Sequence, residues 1–400
     1  MSRGAKGEGS LYEFRKGFRA YITVRGKREY FYFPNVTKTQ ASVELRSLLG
    51  QRDLGILPKG KDYTLAVWMR RWLVMASTGS KTRKKLSLGT AAGYKYNVEH
   101  YIIPALGTVK LRALEPEDLE AFYEDLLSGA LSRETMVDGK LVKKPLLPRS
   151  VRNIHSNIRR GLHVAMQRGH VGRNVALLVD VPAAATREMK RLSSTDAQLV
   201  LSAASGQPRE ARWYLGLVFG MRPSEVLGLT WQDIDAADGH VKVRRQLQRI
   251  PHQGIHLIPS VKTDKSNREI PLPKRVLAML DATRAAQMQA RIEYGDEYVE
   301  WEYEDKPVAL VFTQPNGSPI DIKVDTRAWQ KLLDAAGLPH ERRYIGRHTA
   351  ASVMVDMGMD IAVISAILGH SKTSFTYDTY VHPLETQKRS AADLLGDMYS

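Results

Sequence analysis

The sequence predicts a multi-domain α+β chain. A small N-terminal three-stranded sheet with one helix comes first, then an all-helical domain, then a mixed, mainly α domain carrying a small antiparallel sheet. Three observations predict this. Short strand-like runs with aromatics interleaved among basic residues extend from Ser10 to Phe33, helical apolar spacing dominates the middle of the chain, and strand-like runs between Gly239 and Leu272 interrupt a second helical stretch. At 400 residues the chain has room for two or three domains, each with its own core.

The N-terminal strands are read at Ser10 to Phe14, Phe18 to Val24 and Arg28 to Phe33, with Gly17 and Gly26 in the turns between them. A helix is expected from Thr37 to Asp53, with Thr37 as its N-cap and Ala41, Val43, Leu45, Leu48 and Leu49 as its apolar positions. The first sixty residues hold twelve Lys/Arg against five Asp/Glu. A basic, aromatic sheet face of this type suits a DNA groove, and Arg19, Lys27 and Arg28 are its candidate contacts.

Leu57 to Asp62 reads as a linker. Helices are then expected at Thr64 to Ala76, Gly89 to Ile103, Glu115 to Ser128 and Arg149 to Arg168. Lys81, Arg83, Lys84, Lys85, Arg149, Arg152 and Arg159 are candidate phosphate contacts in this part. A second linker, Val181 to Arg191, leads to a helix at Ser194 to Ala204 and to strands at Gly239 to Arg245, Ile255 to Val261 and Glu269 to Leu272. The expected domains are residues 1–57, 62–180 and 190–400.

A formal net charge of +16 and a pI near 9.8 make a polyanion the natural partner, nucleic acid first. The chain has no cysteine, which removes disulfides, thiolate zinc sites and cysteine nucleophiles together. No apolar run is long enough to span a bilayer and the first residues carry no apolar signal segment, so a cytoplasmic location and no membrane partner are expected. No cofactor or metal is expected either. Asp233 to Gly239 has the wrong spacing for a calcium loop, with Arg244 where a bidentate Glu belongs, and His252 and His256 have no Glu between them.

Four short stretches hold cationic and hydroxyl groups at turns far apart in the chain. They are Gly220-Met221-Arg222-Pro223-Ser224-Glu225, Ser260 to Leu272 read as a hairpin with Lys262 near its tip, Tyr344-Ile345-Gly346-Arg347-His348-Thr349, and Leu368-Gly369-His370 followed by Tyr380. Two guanidiniums hold phosphate oxygens through forked donors and stay charged at any working pH. A tyrosine hydroxyl can form a covalent phosphodiester intermediate that conserves the bond for rejoining.

In order and spacing these stretches resemble the active-site boxes of the tyrosine recombinases, the phage integrases especially. The resemblance is close from about Leu192 to His382, and extends to the two preceding segments by layout only. It implies a catalytic set of Arg222, Lys262, Tyr344, Arg347, His370 and Tyr380, with Glu225 supporting Arg222. Tyr380 would attack the scissile phosphate to give a 3′-phosphotyrosyl link, Lys262 would protonate the leaving 5′ oxygen, and His370 would hydrogen-bond the phosphate. Tyr377 is the lesser candidate for nucleophile. Tyr344 stands where the family most often has His, so the general-base role passes to His370, to water or to Lys262, while His348 beside Arg347 reads as structural.

The resemblance implies an integrase of a phage or mobile element, working as a homotetramer on double-stranded DNA attachment sites with DNA-bending and directionality factors. The tail from Lys388 to Met398 would dock on a neighbouring protomer. A bacterial cytoplasm, in association with the nucleoid, is the expected place of action. The alternatives are a type IB topoisomerase-like activity that relaxes DNA, or a catalytically impaired DNA-binding protein.

Overall fold

The computed structural model describes residues 9–24, 26–55, 57, 61–79, 85–131, 134–137, 140–183, 190–259, 267–380, 393 and 395–397. Lys81, Arg83, Lys84, Lys262 and most of the tail from Lys388 to Met398 lie outside the described residues. The chain divides into two compact units, residues 1–186 and 187–400.

The first unit opens with β1 (Ser10–Glu13), β2 (Gly17–Val24) and β3 (Lys27–Pro34), antiparallel in the order β1-β2-β3. The register sets Ala20 opposite Phe31, Tyr21 opposite Tyr30 and Arg19 opposite Tyr32. Because side chains alternate across a strand, Ala20, Ile22, Phe31 and Phe33 fall on one face. There they share a small core with Leu57 and with Leu45 of α1 (Lys38–Asp53). The opposite face carries Tyr12, Arg19, Tyr21, Arg28, Tyr30 and Tyr32, with the Arg19 guanidinium 4.6 Å from the Tyr30 ring centroid and Arg28 4.6 Å from that of Tyr21. Thr37 caps α1 through a reciprocal pair with Gln40, which satisfies two backbone donors at its start.

The rest of this unit comprises α2 (Leu65–Thr78), α3 (Leu88–Asn97), α4 (Ile103–Leu106), α5 (Pro116–Ser128), the hairpin β4 (Glu134–Val137) and β5 (Lys140–Lys143), and α6 (Pro148–Gln167). The helix expected at Gly89 to Ile103 is interrupted by a wide turn, Val98–Ile102, where the Ile103 N–H reaches back to the Val98 carbonyl. Pro104 follows, and with no N–H of its own it leaves the normal ladder one bond short. The all-helical expectation is corrected by the β4–β5 pair, for which Asp138-Gly139 between two alternating runs is the sequence signal. Helices α2 and α6 approach closely at Gly161, whose carbonyl accepts from Trp68 Nε1 at 2.8 Å.

The second unit starts with α7 (Ser194–Ala204), α8 (Ala211–Leu217) and α9 (Pro223–Leu227). Strands β6 (Ile234–Asp235), β7 (His240–Val243), β8 (Arg245–Ile250), β9 (Gly254–Pro259) and β10 (Arg268–Pro271) follow. Helix α10 (Lys274–Tyr294) and the short pair β11 (Glu302–Tyr303) and β12 (Lys306–Pro307) lead to α11 (Ile322–Ala335), α12 (Ile345–Asp356), α13 (Ile361–Leu368) and α14 (Thr373–Tyr380). The expected hairpin from Ser260 to Leu272 is corrected among the described residues. β9 pairs with β8, whereas β10 pairs with β7 in the sheet β10-β7-β6, so the strands flanking the Lys262 segment belong to different sheets. Among the described residues no helix is long and apolar enough to cross a membrane.

Candidate active site

The site gathers around the start of α12, whose position is set from below by a buried ionic group. Asp325 on α11 lies 3.1 Å from Arg212 Nη1 and 3.5 Å from Arg343 Nε, and both guanidiniums sit over the Trp213 ring. These residues tie α8 and α11 to the segment that delivers Tyr344 and Arg347. Burial pushes Arg212 down to about 10. Sequence reading missed all three, because isolated Arg and Asp residues far apart in the chain carry no local pattern.

Arg347 is 1% exposed. Its Nη1 donates to the Gly220 carbonyl at 2.8 Å and its Nη2 to the Leu368 carbonyl at 2.7 Å, while Nε has no acceptor among the described residues. One guanidinium thus links the turn before α9 to the end of α13. Gly220 adopts φ +64°, and a Cβ there would stand 2.4 Å from Leu368 Cδ2, so the close approach requires glycine. Burial, then the charge of Arg222, pushes Arg347 down to about 10, which leaves it cationic at neutral pH.

Arg222 is the N-cap residue of α9. Its backbone N–H donates to Glu225 Oε2 at 3.0 Å and its Nη1 to Glu225 Oε1 at 2.6 Å. Glu225 is 1% exposed and is also held by Arg268, whose Nη2 and Nη1 donate to it at 2.8 and 3.3 Å. Burial alone would raise this carboxyl, but Arg268 and then Arg222 outweigh it and hold it at about 2. Arg268 Nε donates to the Ile367 carbonyl at 2.6 Å, so it binds the Arg222 turn to the end of α13, where His370 begins. Arg268 is a supporting residue that sequence reading did not single out. Its signal was its place six residues after Lys262, at the head of a strand. Burial opposes the charge of Arg222, yet Glu225 and the nearby Tyr344 phenol keep its pKa above the ordinary arginine value.

His370 follows Gly369, which closes α13 in the left-handed conformation. Its Nδ1 lies 2.8 Å from Thr376 Oγ1 and its ring meets Phe375 edge-on at 4.9 Å. Burial first, then Arg347 and Arg222, push His370 down to about 3, so it is neutral at neutral pH and can offer a hydrogen bond rather than a charge. Tyr380 ends α14 at 9% exposure, its ring parallel to that of His370 at 6.4 Å. Burial pushes its phenol up to about 12, although Arg347 and Arg222 favour the phenolate. Tyr377, one turn earlier, is 55% exposed.

Arg222, Arg347, His370 and Tyr380 therefore come together, with Glu225 behind Arg222. Tyr344 stands at the rim, 41% exposed, with its ring edge-on to His348 at 5.1 Å. His348, read from the sequence as structural, has its Nδ1 2.8 Å from the Tyr380 hydroxyl. The remaining candidates are in the first unit. Lys27, Arg28, Lys85, Arg149, Arg152 and Arg159 are exposed and Arg19 is half-buried; Arg149, Arg152 and Arg159 follow the solvent face of α6, opposite buried Val151, Ile154, Ile158 and Leu162. Elsewhere, Asp235, Asp238 and His240 bring one ligand atom each within 4.8 Å of one another, where the Asp238 N–H donates to Asp235 Oδ1 and closes the turn.

A site with two guanidiniums, a neutral imidazole and a buried phenol suits an anion in which a phosphorus atom can be attacked. The comparisons agree with that chemistry. The pattern of the Phage integrase family matches residues 188–387, and that of the N-terminal SAM-like domain of phage integrases matches residues 65–127. An integrase of Streptomyces ambofaciens is 30% identical over 400 residues, 94% of this chain and 93% of that protein. A tyrosine recombinase XerC-like protein of Caldanaerobacter subterraneus subsp. tengcongensis is 24% identical over 404 residues, 96% of each chain. Among solved structures, the Tn1549 transposon integrase in complex with transposon right end DNA shares the fold, with a TM-score of 0.64 at 19% identity, over 83% of this chain and 99% of that one. A lambda integrase dimer bound to a COC′ core site does so with a TM-score of 0.51 at 16% identity, over 95% of this chain and 96% of that one. The chain belongs to the phage integrase family. It is an enzyme, a tyrosine-type site-specific DNA recombinase.

Proposed function

We propose that this recombinase integrates and excises a phage or other mobile element at double-stranded attachment sites, with Tyr380 as nucleophile. The observation that carries the reading is the convergence of Arg222, Arg347 and His370 on the buried Tyr380. Arg222 and Arg347 hold the non-bridging oxygens of the scissile phosphate, neutral His370 donates a hydrogen bond to it, and Lys262 protonates the 5′ oxygen that leaves. Glu225 orients Arg222, and Tyr344 borders the phosphate beside it.

Residues 1–57 act as an arm-type DNA-binding domain, 62–180 as a core-binding domain and 190–400 as the catalytic domain. Arg19, Lys27 and Arg28 on the sheet, Lys81, Arg83, Lys84 and Lys85, and Arg149, Arg152 and Arg159 on α6 supply phosphate contacts. Related structures include a lambda integrase tetramer bound to a Holliday junction, which supports a tetramer of this chain on two DNA partners, assisted by bending and directionality factors. The site of action is the cytoplasm of a bacterial host, at the nucleoid. A topoisomerase-like activity or a catalytically impaired DNA-binding protein is not favoured by the integrases among its relatives.

The test is a nicked suicide duplex carrying the sequence that flanks the gene. Wild type and Tyr377→Phe are expected to form a covalent adduct and Tyr380→Phe none. An adduct with Tyr380→Phe would sink the assignment. Strand exchange between two labelled duplexes separates recombination from relaxation.

A further inference from the structure

Tyr344 occupies the family's usual histidine place but sits at the rim, and among the described residues it is His348 that meets the Tyr380 hydroxyl. We infer that His348 is the proton acceptor for Tyr380, a catalytic residue that takes the role Tyr344 cannot fill. The inference rests on Tyr380 being the nucleophile. Four residues along a helix bring a side chain back to the same face, so His348, one turn further into α12, lies beside Tyr344 and reaches the Tyr380 hydroxyl. Its Nδ1 is 2.8 Å from Tyr380 Oη, within the range a general base needs.

The protonation states fit the role. Burial pushes the Tyr380 phenol up to about 12, so the hydroxyl keeps its proton at neutral pH and needs an acceptor. Burial, then the neighbouring Arg347, lowers the pKa of His348, so its imidazole is neutral; with the proton on Nε2, the Nδ1 lone pair faces the hydroxyl. His370 is less well placed, because its Nδ1 is engaged with Thr376 and its ring lies parallel to that of Tyr380 instead of meeting the hydroxyl. Tyr344 is a phenol and a poor acceptor at neutral pH.

The step balances as follows. The Tyr380 Oη–P bond forms as its proton passes to His348 Nδ1, the P–O5′ bond breaks, and the electron pair leaves on O5′, which Lys262 protonates. Rejoining reverses the path and returns the proton to Tyr380. The groups that bear on His348 are Arg347 on its own helix, Tyr344 at the helix start, His370 after α13 and Tyr380 on α14; Arg222, Glu225 and Arg268 form the ionic group beside Arg347. An arriving phosphodiester offsets the charge of Arg347 and so raises the proton affinity of His348 when the acceptor is required.

The experiment measures single-turnover adduct formation by the full chain on the nicked duplex used above, at saturating DNA. His348→Gln is expected to react about 100-fold more slowly with unchanged DNA affinity and an unchanged melting curve. Fluorotyrosine at position 380, with its more acidic phenol, is expected to recover most of that loss, and free imidazole to accelerate His348→Ala. A His348→Gln rate within about threefold of wild type would overturn the inference. A loss relieved by neither fluorotyrosine nor imidazole would overturn it too, since a merely structural histidine behaves that way. Wild type and Tyr380→Phe run alongside: an adduct in Tyr380→Phe removes the nucleophile assignment, whereas its absence confines either adverse result to His348.

Discussion

Replacing Arg268 by methionine keeps the length of the side chain and removes the charge that holds Glu225. In the native protein Arg268 donates to Glu225 at 2.8 and 3.3 Å and to the Ile367 carbonyl at 2.6 Å, all in a buried position. Breaking a buried ion pair from one side costs about 3–5 kcal/mol, and Arg222 still neutralises Glu225, so the lower end, about 3 kcal/mol, is expected. For a unit of about 200 residues that is a fall in Tm of roughly 6–12 °C. Calorimetry of the full chain at pH 7 checks the value.

The pH dependence gives a second handle on the same substitution. Glu225 is held at about 2 against an ordinary 4.5, so the stability it contributes is fully present above about pH 4.5 and is lost as pH falls toward 2. Arg268→Met raises the Glu225 pKa and shrinks that contribution. The gap between wild type and variant, read from urea unfolding, should therefore be constant above about pH 5 and narrow below it. A fall in Tm of less than about 2 °C, or a gap that does not change between about pH 6 and pH 3, would refute the coupling of these two residues.

Three further substitutions follow from the packing. Gly220→Ala places a Cβ at φ +64° and 2.4 Å from buried Leu368, and should cost about 2–4 kcal/mol in urea unfolding while loosening the carbonyl that anchors Arg347. Asp325→Ala leaves the Arg212 and Arg343 guanidiniums buried without their carboxylate; a loss of about 3–5 kcal/mol is expected, and a variant that melts with wild type would refute that role. Gly161→Ala sets helix propensity, which favours alanine by about 1 kcal/mol, against a Cβ 2.5 Å from Met69 Sδ in the tight α2–α6 contact. Overpacking should win, so net destabilisation of the first unit is expected in thermal denaturation, and a rise in Tm would show that Met69 moves aside.

Sequence alone determined the features that depend on neighbours two to four residues apart. The alternation through β2 and β3 sorted Ala20, Ile22, Phe31 and Phe33 from Arg19, Tyr21, Tyr30 and Tyr32, because strand side chains alternate by geometry. The Thr37 cap and the Ser194–Ala204 helix were legible for the same reason. So were the places of Arg222, Arg347, His370 and Tyr380 at turns or helix ends, each marked by a distinctive local pattern. The tertiary structure decided what depends on pairs far apart in the chain. β9 and β10 belong to different sheets because their partners, β8 and β7, are chosen by long-range hydrogen bonding. Arg268 serves Glu225 from 43 residues away. The neutrality of His370 comes from burial and from three arginines, Arg347, Arg222 and Arg268, that only folding brings near. That His348 and not Tyr344 meets the Tyr380 hydroxyl was likewise beyond the motif, since it turns on where the end of α14 packs against α12.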